Sequence, residues 1–467
     1  MTEKNKSDVS FRDRISTVDE SGKRKWIYPR KPKGRFHRAR LIVSWFLLAI
    51  FFAGPFITWN DRPFFLFNVL GRRFVIFGVA FWPQDFHLFV LATLAAIIFI
   101  LLFTVIYGRL FCGWICPQSV FMELVFRKIE YLIEGDAGKQ RTLKKKPWNA
   151  EKIYKKTLKQ AIFFTISFLV ANTFMAYLIG AEQFYHHVTG SPTQASGAFI
   201  AIVLFSGFFY FIFAWFREQA CTLVCPYGRL QGVLLDRDSI MVSYDFNRGE
   251  PRTKVSAIKE GAAYGDCIAC NLCVQVCPTG IDIRNGQQLE CINCTACMDA
   301  CDSVMQKIKR LMGLIRYASF TTISEGIKLK PTIRMAGYSA VLILMIGLIG
   351  FLFFGRSDIE TTVLRTPGVM YQKTDDGRIR NLYSIKVINK TYENLPLRFE
   401  VLDPEGGEIK LVGGELELEQ NDVLESAFFI LLPKETLSKV KSRIQIGIYS
   451  GDELLETVET NFMGPAL

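Results

Sequence analysis

Five long apolar runs, separated by polar and often strongly basic segments, dominate the pattern of this 467-residue chain. Each run reaches or exceeds the ~17 residues with which an α-helix can cross a lipid bilayer. The predicted spans are Leu41–Ile57, His87–Tyr107, Gln160–Ile179, Ala198–Phe216 and Ala336–Phe354. The pattern therefore predicts a polytopic α-helical membrane protein with about five transmembrane helices.

The segments between these runs carry shorter patterns. Trp59–Phe86 alternates apolar and polar residues, which predicts a short hairpin at the outer interface, with a re-entrant segment as the alternative. Val120–Ile133 has a helical period of apolar and charged residues, so we expect a helix along the membrane surface with Glu123 on its polar side. We expect Gly180–Gly197 to be a short outer loop and Met305–Arg334 to be a basic amphipathic stretch.

The pattern changes after the last apolar run. In Arg356–Leu467 apolar residues alternate at period two, for example at Tyr383, Ile385 and Val387, and the helical period is lost. Alternation of this kind, interrupted by turn signals, predicts half-buried strands. About seven short strands over about a hundred residues are typical of a small β-sandwich.

Charge gives the expected orientation of the spans. The chain has a formal net charge of +12, and its Lys and Arg residues crowd next to the apolar runs, as in Lys23–Arg40 and Lys139–Lys156. Because basic loops stay in the cytoplasm, we expect a cytoplasmic N-terminus and, after five spans, a periplasmic C-terminal domain. A nucleic-acid-binding tail is the weaker alternative, and we expect no nucleic-acid partner. No cleavable signal is predicted, since Met1–Arg40 has no early apolar core.

Eight of the twelve cysteines lie in one stretch, Asp266–Asp302, as two copies of C-x2-C-x2-C-x3-C. They are Cys267, Cys270, Cys273, Cys277, Cys291, Cys294, Cys297 and Cys301. This spacing predicts two cubane [4Fe–4S] clusters, because three close thiolates cover one side of a cluster and a fourth completes the site. Zinc and disulfides are the alternatives, but zinc sites usually pair two C-x2-C units, and the chain shows no disulfide pattern of a secreted scaffold.

In two-cluster ferredoxins the fourth cysteine of each run binds the other cluster. The predicted first set is then Cys267, Cys270, Cys273 and Cys301, and the second set is Cys291, Cys294, Cys297 and Cys277. Two features depart from that pattern. Asp302 follows Cys301 where a second proline is usual, and the segment between the two runs is short for a free-standing ferredoxin.

The other four cysteines, which we call the edge thiols, form a second pattern. Cys112 with Cys116, and Cys221 with Cys225, are each spaced C-x3-C, are followed by proline and end a hairpin of two spans. Each pair lies either on one side of a helix or just before a helix that begins at the proline. If the repeat brings the hairpins together, the thiols converge on a site suited to Cu(I), zinc or a further iron–sulfur cluster. Buried neutral thiols and a dithiol pair are the alternatives.

Four motifs stand out together: GRLFCGWICPQSV at 108–120, CTLVCPYGRLQGVLLDRDS at 221–239, RGEPR at 248–252 and the double cysteine run. In this combination they resemble the family of the cytochrome c oxidase accessory protein CcoG, also called FixG or RdxA. The resemblance implies a C-terminal immunoglobulin-like domain and a role in assembling the cbb3-type oxidase. It further implies reduction of Cu(II) to Cu(I) for copper chaperones, with Cys112, Cys116, Cys221 and Cys225 as the copper-binding and catalytic residues.

These observations predict five parts of the chain. They are a basic N-terminal segment at 1–40, a four-helix membrane core at 41–240, a double [4Fe–4S] ferredoxin-like domain at 241–310, an amphipathic segment with the fifth helix at 311–355, and a periplasmic immunoglobulin-like domain at 356–467. Our hypothesis is an electron relay in the bacterial inner membrane, from an unidentified cytoplasmic donor through the clusters to copper. The alternatives are a quinol-oxidising membrane ferredoxin and a non-catalytic scaffold or redox sensor for oxidase assembly.

Overall fold

The computed structural model describes residues 17–465 except for 19–20, 60–61, 70, 72, 83–84, 191–195, 255–263, 327–331, 356, 358, 369, 375, 392, 413–415, 421 and 438. The chain divides into two compact units. We call Met1–Gly71 with Phe89–Gly347 the membrane unit, and Arg72–Leu88 with Leu348–Leu467 the β unit. Separate hydrophobic cores fill the two units.

Five helices in the described part of the chain are long and apolar enough to cross a membrane, as predicted. Spans 1 to 5 are Arg35–Phe56, Phe86–Tyr107, Ala150–Ile179, Gly197–Phe216 and Ile333–Phe354. Span 3 begins ten residues before the predicted Gln160, because Asn149 caps the helix by accepting a hydrogen bond from the amide of Lys152 at 2.9 Å. Its first turns are charged, so a hydropathy pattern does not include them in the span.

Shorter helices connect the spans of the membrane unit. They are Leu110–Trp114, Pro117–Ser119, the π-helix Val120–Phe126, Arg127–Ile133, Ala137–Lys145, Ala181–Thr189, the π-helix Ala220–Val224 and Pro226–Leu234. The predicted outer loop Gly180–Gly197 therefore contains a helix. That helix begins after Gly180, whose positive φ of 87° turns the chain at the end of span 3.

The expected surface helix Val120–Ile133 packs inside the membrane unit. Phe126 is fully buried and lies against Phe163 of span 3 and Phe213 of span 4, at ring distances of 4.8 and 4.6 Å. The expectation of a surface helix is wrong here, because two spans cover its apolar side. Glu123 is not a free surface residue either: its side chain is 14% exposed and pairs with Arg127.

The cysteine-rich region of the membrane unit is a small α/β fold. Strand β6, Met241–Tyr244, pairs antiparallel with β7, Ile315–Ala318. Around this ribbon lie Phe246–Gly249, Leu272–Gln275, the 3₁₀ turn Ile283–Asn285, Ala296–Lys307 and Phe320–Glu325. The predicted amphipathic stretch Met305–Arg334 is therefore not one helix, since it ends one helix, supplies β7 and begins span 5.

Short strands follow span 1, in agreement with the predicted hairpin. They are β1 Thr58–Trp59, β2 Arg62–Pro63, β3 Phe65–Asn68, β4 Arg73–Ile76 and β5 Val79–Phe81. In the membrane unit β1 pairs with β2, and in the β unit β4 pairs with β5, both antiparallel.

The rest of the β unit is the predicted sandwich of two antiparallel sheets. Its strands are β8 Ile359–Arg365, β9 Gln372–Lys373, β10 Ile379–Asn389, β11 Leu395–Asp403, β12 Glu408–Leu411, β13 Leu416–Leu418, β14 Val423–Leu432, β15 Lys441–Ser450 and β16 Glu453–Met463. One sheet has the order β12-β14-β10-β8 with β9 beside β10, and the other has the order β13-β11-β15-β16. The alternating Tyr383, Ile385 and Val387 are fully buried between the sheets, as their period predicted.

Candidate metal centre

Four of the eight clustered cysteines surround one small cavity. The first cavity is lined by Cys267, Cys270, Cys273 and Cys301, with Tyr244 and Ile315 among its walls. Helix Ala296–Lys307 carries Cys301 back to the first run of cysteines. The first predicted set of thiols is thus together in space, although Cys301 lies in the second run of the sequence.

The remaining four clustered cysteines surround a second cavity. This second cavity is lined by Cys277, Cys291, Cys294 and Cys297, and Cys273 lies at its edge as well. Because Cys273 contributes to both walls, the two cavities are direct neighbours. Each cavity thus contains three cysteines of one run and the fourth cysteine of the other run, as the sequence pattern predicted.

The two loops that wrap the cavities share an unusual backbone. Ala269 and Asn271 flank Cys270 with positive φ angles of 51° and 57°, and Asn293 and Thr295 flank Cys294 with 53° and 63°. Left-handed residues alternating with right-handed ones turn successive N–H groups inward, and such concave nests bind anions and iron–sulfur clusters. The backbone of both loops therefore fits the anionic, thiolate-bound group that the spacing predicted.

The clustered thiols surround two cavities and do not converge on a single atom. In the part of the chain that the structure describes, no group of three or more His, Cys, Asp or Glu side chains is arranged to hold a single metal ion. A zinc site needs four ligands converging on one atom. A cubane of several iron and sulfur atoms instead needs thiols spaced around it, so the two cavities fit a cluster better than zinc.

Burial sets the protonation of these cysteines before a metal binds. It raises the pKa of Cys273 and Cys301 to about 12 and that of Cys294 to about 11. Removal of a thiol from water disfavours the charged thiolate, so these three thiols are neutral at pH 7 without a metal. Metal binding must then release these protons and supply the charge that stabilises the thiolates.

The edge thiols lie at the starts of short helices. Cys116 precedes Pro117, and Cys225 precedes the helix Pro226–Leu234, whose Gly228 amide donates to the Cys225 Sγ at 3.4 Å. Of the two predicted geometries, the structure has the one in which each proline begins a new helix. An N–H group pointing at sulfur favours the thiolate.

The two C-x3-C motifs approach each other, as the repeat predicted. The Cys112 thiol donates to the side-chain oxygen of Gln231 at 3.3 Å, and Gln231 lies on the helix that follows Cys225. Burial raises the pKa of Cys221, and the three other edge thiols raise it further. The four side chains are therefore electrostatic neighbours, although they do not form a ready-made site for one ion.

The edge thiols pack directly on the second cavity. A Cβ at Gly113, next to Cys112, would lie 2.4 Å from the carbonyl oxygen of Ile292, between two cysteines of the second set. Cys112 itself packs against the apolar cluster that contains Ile292 and Cys294. Cys221 shares a small cavity with Thr279 and Ile292. Only a glycine at position 113 allows this close approach.

Several buried charges near the edge thiols were missed by sequence reasoning. Arg217 donates two hydrogen bonds of 2.8 Å to Glu130, and Arg127 pairs with Glu123 and Glu218. Burial alone would raise the pKa of Glu130, but the attached Arg217 lowers it to about 2. The spacing of Glu123, Arg127 and Glu130 along one helical side is the signal that could have indicated this network.

Three family models match parts of the sequence. Residues 216–320 match a 4Fe-4S dicluster domain, and residues 89–139 match a 4Fe-4S binding domain. Residues 349–465 match the IG-like fold at the C-terminal of FixG, a putative oxidoreductase. The first match contains both cysteine runs and the second edge motif, and the match at 89–139 contains the first edge motif.

Similar proteins extend over most of the chain. The nitrogen fixation protein FixG of Rhizobium meliloti is 31% identical over 460 residues, which cover 88% of this chain and 87% of that protein. Protein RdxA of Cereibacter sphaeroides is 34% identical over 391 residues, 80% of this chain and 82% of that protein. Protein RdxB of the same organism is 31% identical over 459 residues, which cover 92% of this chain and 94% of that protein.

Fold and site define an iron–sulfur electron-transfer protein with membrane-length helices. Within that class, the chain belongs to the FixG/RdxA family.

Proposed function

We propose that this iron–sulfur protein of the inner membrane reduces Cu(II) to Cu(I) at its edge thiols, and that the Cu(I) serves assembly of a cbb3-type cytochrome c oxidase. The observation that carries the proposal is the contact between the edge motif at Gly113 and the second cavity at Ile292. It brings four soft ligands within reach of the cysteines that we assign to the second cluster.

We assign Cys267, Cys270, Cys273 and Cys301 to one [4Fe–4S] cluster and Cys277, Cys291, Cys294 and Cys297 to the other. Such clusters supply one-electron transfer. The packing of the chain sets the order first cavity, second cavity, edge thiols. Cys273 lines both cavities, and Ile292 lines the second cavity and the small cavity that contains Cys221. This order favours entry of electrons at the first cavity and exit at the edge thiols.

Copper enters this scheme as a substrate. Cu(II) gains one electron and becomes Cu(I), the ion that soft thiolate ligands prefer. Cys112, Cys116, Cys221 and Cys225 would bind it with loss of thiol protons, and the N–H of Gly228 donates a hydrogen bond to the Cys225 sulfur. Transfer of the ion out of this site then requires a copper chaperone with comparable thiolate or thioether ligands.

The sides of the membrane are also a proposal. The Lys and Arg residues flanking the spans favour a cytoplasmic N-terminus and cytoplasmic cluster region, with the β unit in the periplasm. In that orientation a cytoplasmic donor reaches the cluster region, and oxidase assembly components reach the β unit. Insertion of a cysteine for labelling at Lys145 and at Lys439 would test this, since only one of the two should react from the periplasm.

A single-turnover assay tests copper reduction. The full chain is purified without oxygen, reduced, freed of excess reductant and mixed with Cu(II) and a Cu(I)-specific chelator. We expect the double variant Cys116→Ser with Cys225→Ser to keep its iron and its reduced-cluster spectrum but to form Cu(I) at least about tenfold more slowly. The control Thr222→Ser changes the same motif without removing a thiol and should match the wild type. Equal Cu(I) formation by the double variant would exclude the edge thiols.

Two alternatives have distinct results. Because residues 89–139 match a 4Fe-4S binding domain, the edge thiols could themselves hold iron; the protein would then contain clearly more than the about eight iron atoms of two cubanes. If the chain is only a scaffold, oxidase assembly in cells should survive replacement of the eight clustered cysteines and fail after deletion of the β-sandwich.

A further inference from the structure

A large cleft lies beside the first cavity in the membrane unit. It has a volume of about 910 Å³, which is within the range of small-molecule sites. Its walls come from residues 232–246, from the turn 284–290 and from Phe320. We propose that this cleft binds the ring of a membrane-soluble quinone or quinol.

The cleft combines an apolar wall with a polar one. The apolar side chains are Leu235, Met241, Phe246, Leu289 and Phe320, and the polar ones include Asp236, Arg237, Gln287, Gln288 and Glu290. Aromatic and aliphatic side chains hold a flat ring, while a few polar groups fix its orientation. The Nε2 of Gln287 is buried and has no hydrogen-bond partner in the described structure. A rotation of this side chain would present the amide as a donor to a ring carbonyl oxygen in the cleft.

The wall of the cleft is attached to the ends of two spans. The Ser239 hydroxyl donates to the carbonyl of Val105 at 2.8 Å, and the amide of Ile240 donates to Ile106 at 2.9 Å, both at the end of span 2. Arg334, in the first turn of span 5, pairs with Asp236 at 3.4 Å. The cleft therefore lies beside the ends of two helices that are long enough to cross a membrane.

Exposed apolar side chains lie on the helix that leads into the cleft wall and at the cleft itself. Val233 is 84% exposed and Leu230 is 49% exposed on the helix that leads into the cleft wall, and Leu289 at the cleft itself is 60% exposed. Exposed aliphatic side chains on a short helix after a span are typical of an interfacial helix. A ligand with an isoprenoid tail can leave that tail in the bilayer while its ring enters the cleft.

The charges of the cleft disfavour a phosphate-bearing ligand. The guanidinium of Arg284 is held by Asp282 through two hydrogen bonds of 2.8 and 2.6 Å, and Arg237 pairs with Glu325 at 3.7 Å. Glu290 adds a carboxylate to the lining, where Asp236 is paired with Arg334. Carboxylates repel a phosphate group but accept hydrogen bonds from ring hydroxyls. An uncharged dihydroxy or dione ring therefore fits better than a nucleotide.

The cleft shares two side chains with the first cavity. Tyr244 and Arg284 line both. Each is held by an acidic partner, since the Tyr244 hydroxyl donates a hydrogen bond to Glu250 at 3.2 Å and the Arg284 guanidinium donates to Asp282. A ring bound in the cleft is thus separated from the cysteines of the first cavity by a single layer of side chains. The proposal concerns binding and does not depend on copper as the acceptor.

Photolabelling tests this site directly. The purified full chain is illuminated with an azido-benzoquinone that carries a short alkyl tail, and labelled peptides are identified by mass spectrometry. We expect the label on 232–246 or 284–290 and its loss when unlabelled decylubiquinone competes. Labelling confined to other spans, or displaced equally by phospholipid alone, would overturn the proposal.

Two variants sharpen the result. Leu289→Trp fills the mouth of the cleft and should reduce labelling about tenfold, whereas Leu311→Trp, at another exposed leucine, should leave it unchanged. If Leu289→Trp does not fold, Gln287→Met serves instead, since it removes the donor and keeps the size of the side chain. Unaltered labelling in a folded cleft variant contradicts the site. Iron content and Cu(I) formation by pre-reduced protein should be unchanged, which separates a failure here from a failure of copper reduction.

Discussion

The guanidinium of Arg40 donates a hydrogen bond from Nη1 to the carbonyl oxygen of Cys294 at 3.1 Å. Its Nε donates to the carbonyl of Gly113 at 2.9 Å. One buried cation, 3% exposed, therefore connects the backbone beside an edge thiol to the backbone of a second-cavity cysteine. Net charge and nearby hydrogen bonds tune the potential of iron–sulfur sites, so Arg40 should favour the reduced state of the second cluster.

Arg40→Met removes this charge and both hydrogen bonds. We expect the reduction potential of one of the two clusters to fall by on the order of 60 mV, which is about tenfold in a one-electron equilibrium. Arg40→Lys keeps the charge and should recover most of the shift. A redox titration followed by electron paramagnetic resonance measures both. If Arg40 were only structural, the variants would lower stability equally and leave the potential unchanged.

Local spacing made much of this site predictable. Within each run the cysteines are separated by two or three residues. The conformation of the loop around each cavity therefore depends mainly on residues that are close in sequence. Alternation at Tyr383, Ile385 and Val387 likewise predicted the buried side of β10, because the period of a strand depends only on its neighbours.

The contacts that were not predicted join distant parts of the chain. Arg40 was assigned to a polar N-terminal segment, and Val120–Ile133 to the membrane surface, because charged residues in isolation indicate exposure. Arg127 and Arg217 are nevertheless buried, since each meets a carboxylate from another element. A single sequence gives the charges but not their partners, and only the packing of spans 3 and 4 brings those partners together.

Gly113 should tolerate no side chain. In Gly113→Ala the new Cβ would lie 2.4 Å from the carbonyl oxygen of Ile292, a backbone atom that cannot rotate away. We expect a loss of roughly 1–3 kcal/mol in stability and a loss of iron from the second cavity.

Gly138→Ala, in a helix with open space around the added carbon, is the control and should be neutral or slightly stabilising. Iron per chain and the thermal unfolding midpoint measure both. Normal iron content in Gly113→Ala would contradict the close packing.

The Glu130–Arg217 pair should make the membrane unit sensitive to acid. The pKa of Glu130 is lowered from its ordinary 4.5 to about 2 in the folded chain. A lowered pKa means that the stabilisation is present above pH 4.5 and is lost as the pH falls towards 2. Glu130→Gln should cost on the order of 3 kcal/mol at pH 7, because Arg217 loses its buried partner, and should weaken the decline below pH 4.5.

Glu151 provides the control for this pH dependence. Its carboxylate is exposed and pairs with Lys155 at 2.6 Å, so Glu151→Gln should leave the unfolding midpoint almost unchanged at pH 7. Thermal unfolding of detergent-purified protein between pH 7 and pH 3 compares the two variants. The same acid profile in wild type and Glu130→Gln would show that the pair does not set the acid stability.

In the β unit, the buried ammonium of Lys390 attaches the segment before span 2 to the sandwich. It pairs with Asp85 at 2.8 Å and with Glu360 of β8 at 2.9 Å, and its side chain and that of Asp85 are each 4% exposed. Lys390→Met leaves two carboxylates without this cation, so we expect a loss of roughly 3–5 kcal/mol. Lys386→Met removes an exposed cross-strand pair, between Lys386 of β10 and Glu425 of β14, and should cost less than about 1 kcal/mol. Adding Asp85→Asn to Lys390→Met should recover part of the loss, because it removes one of the two unpaired carboxylates.

Denaturant unfolding followed by circular dichroism distinguishes these variants. Equal losses for the two lysine variants would mean that the buried pair contributes no more than a surface one.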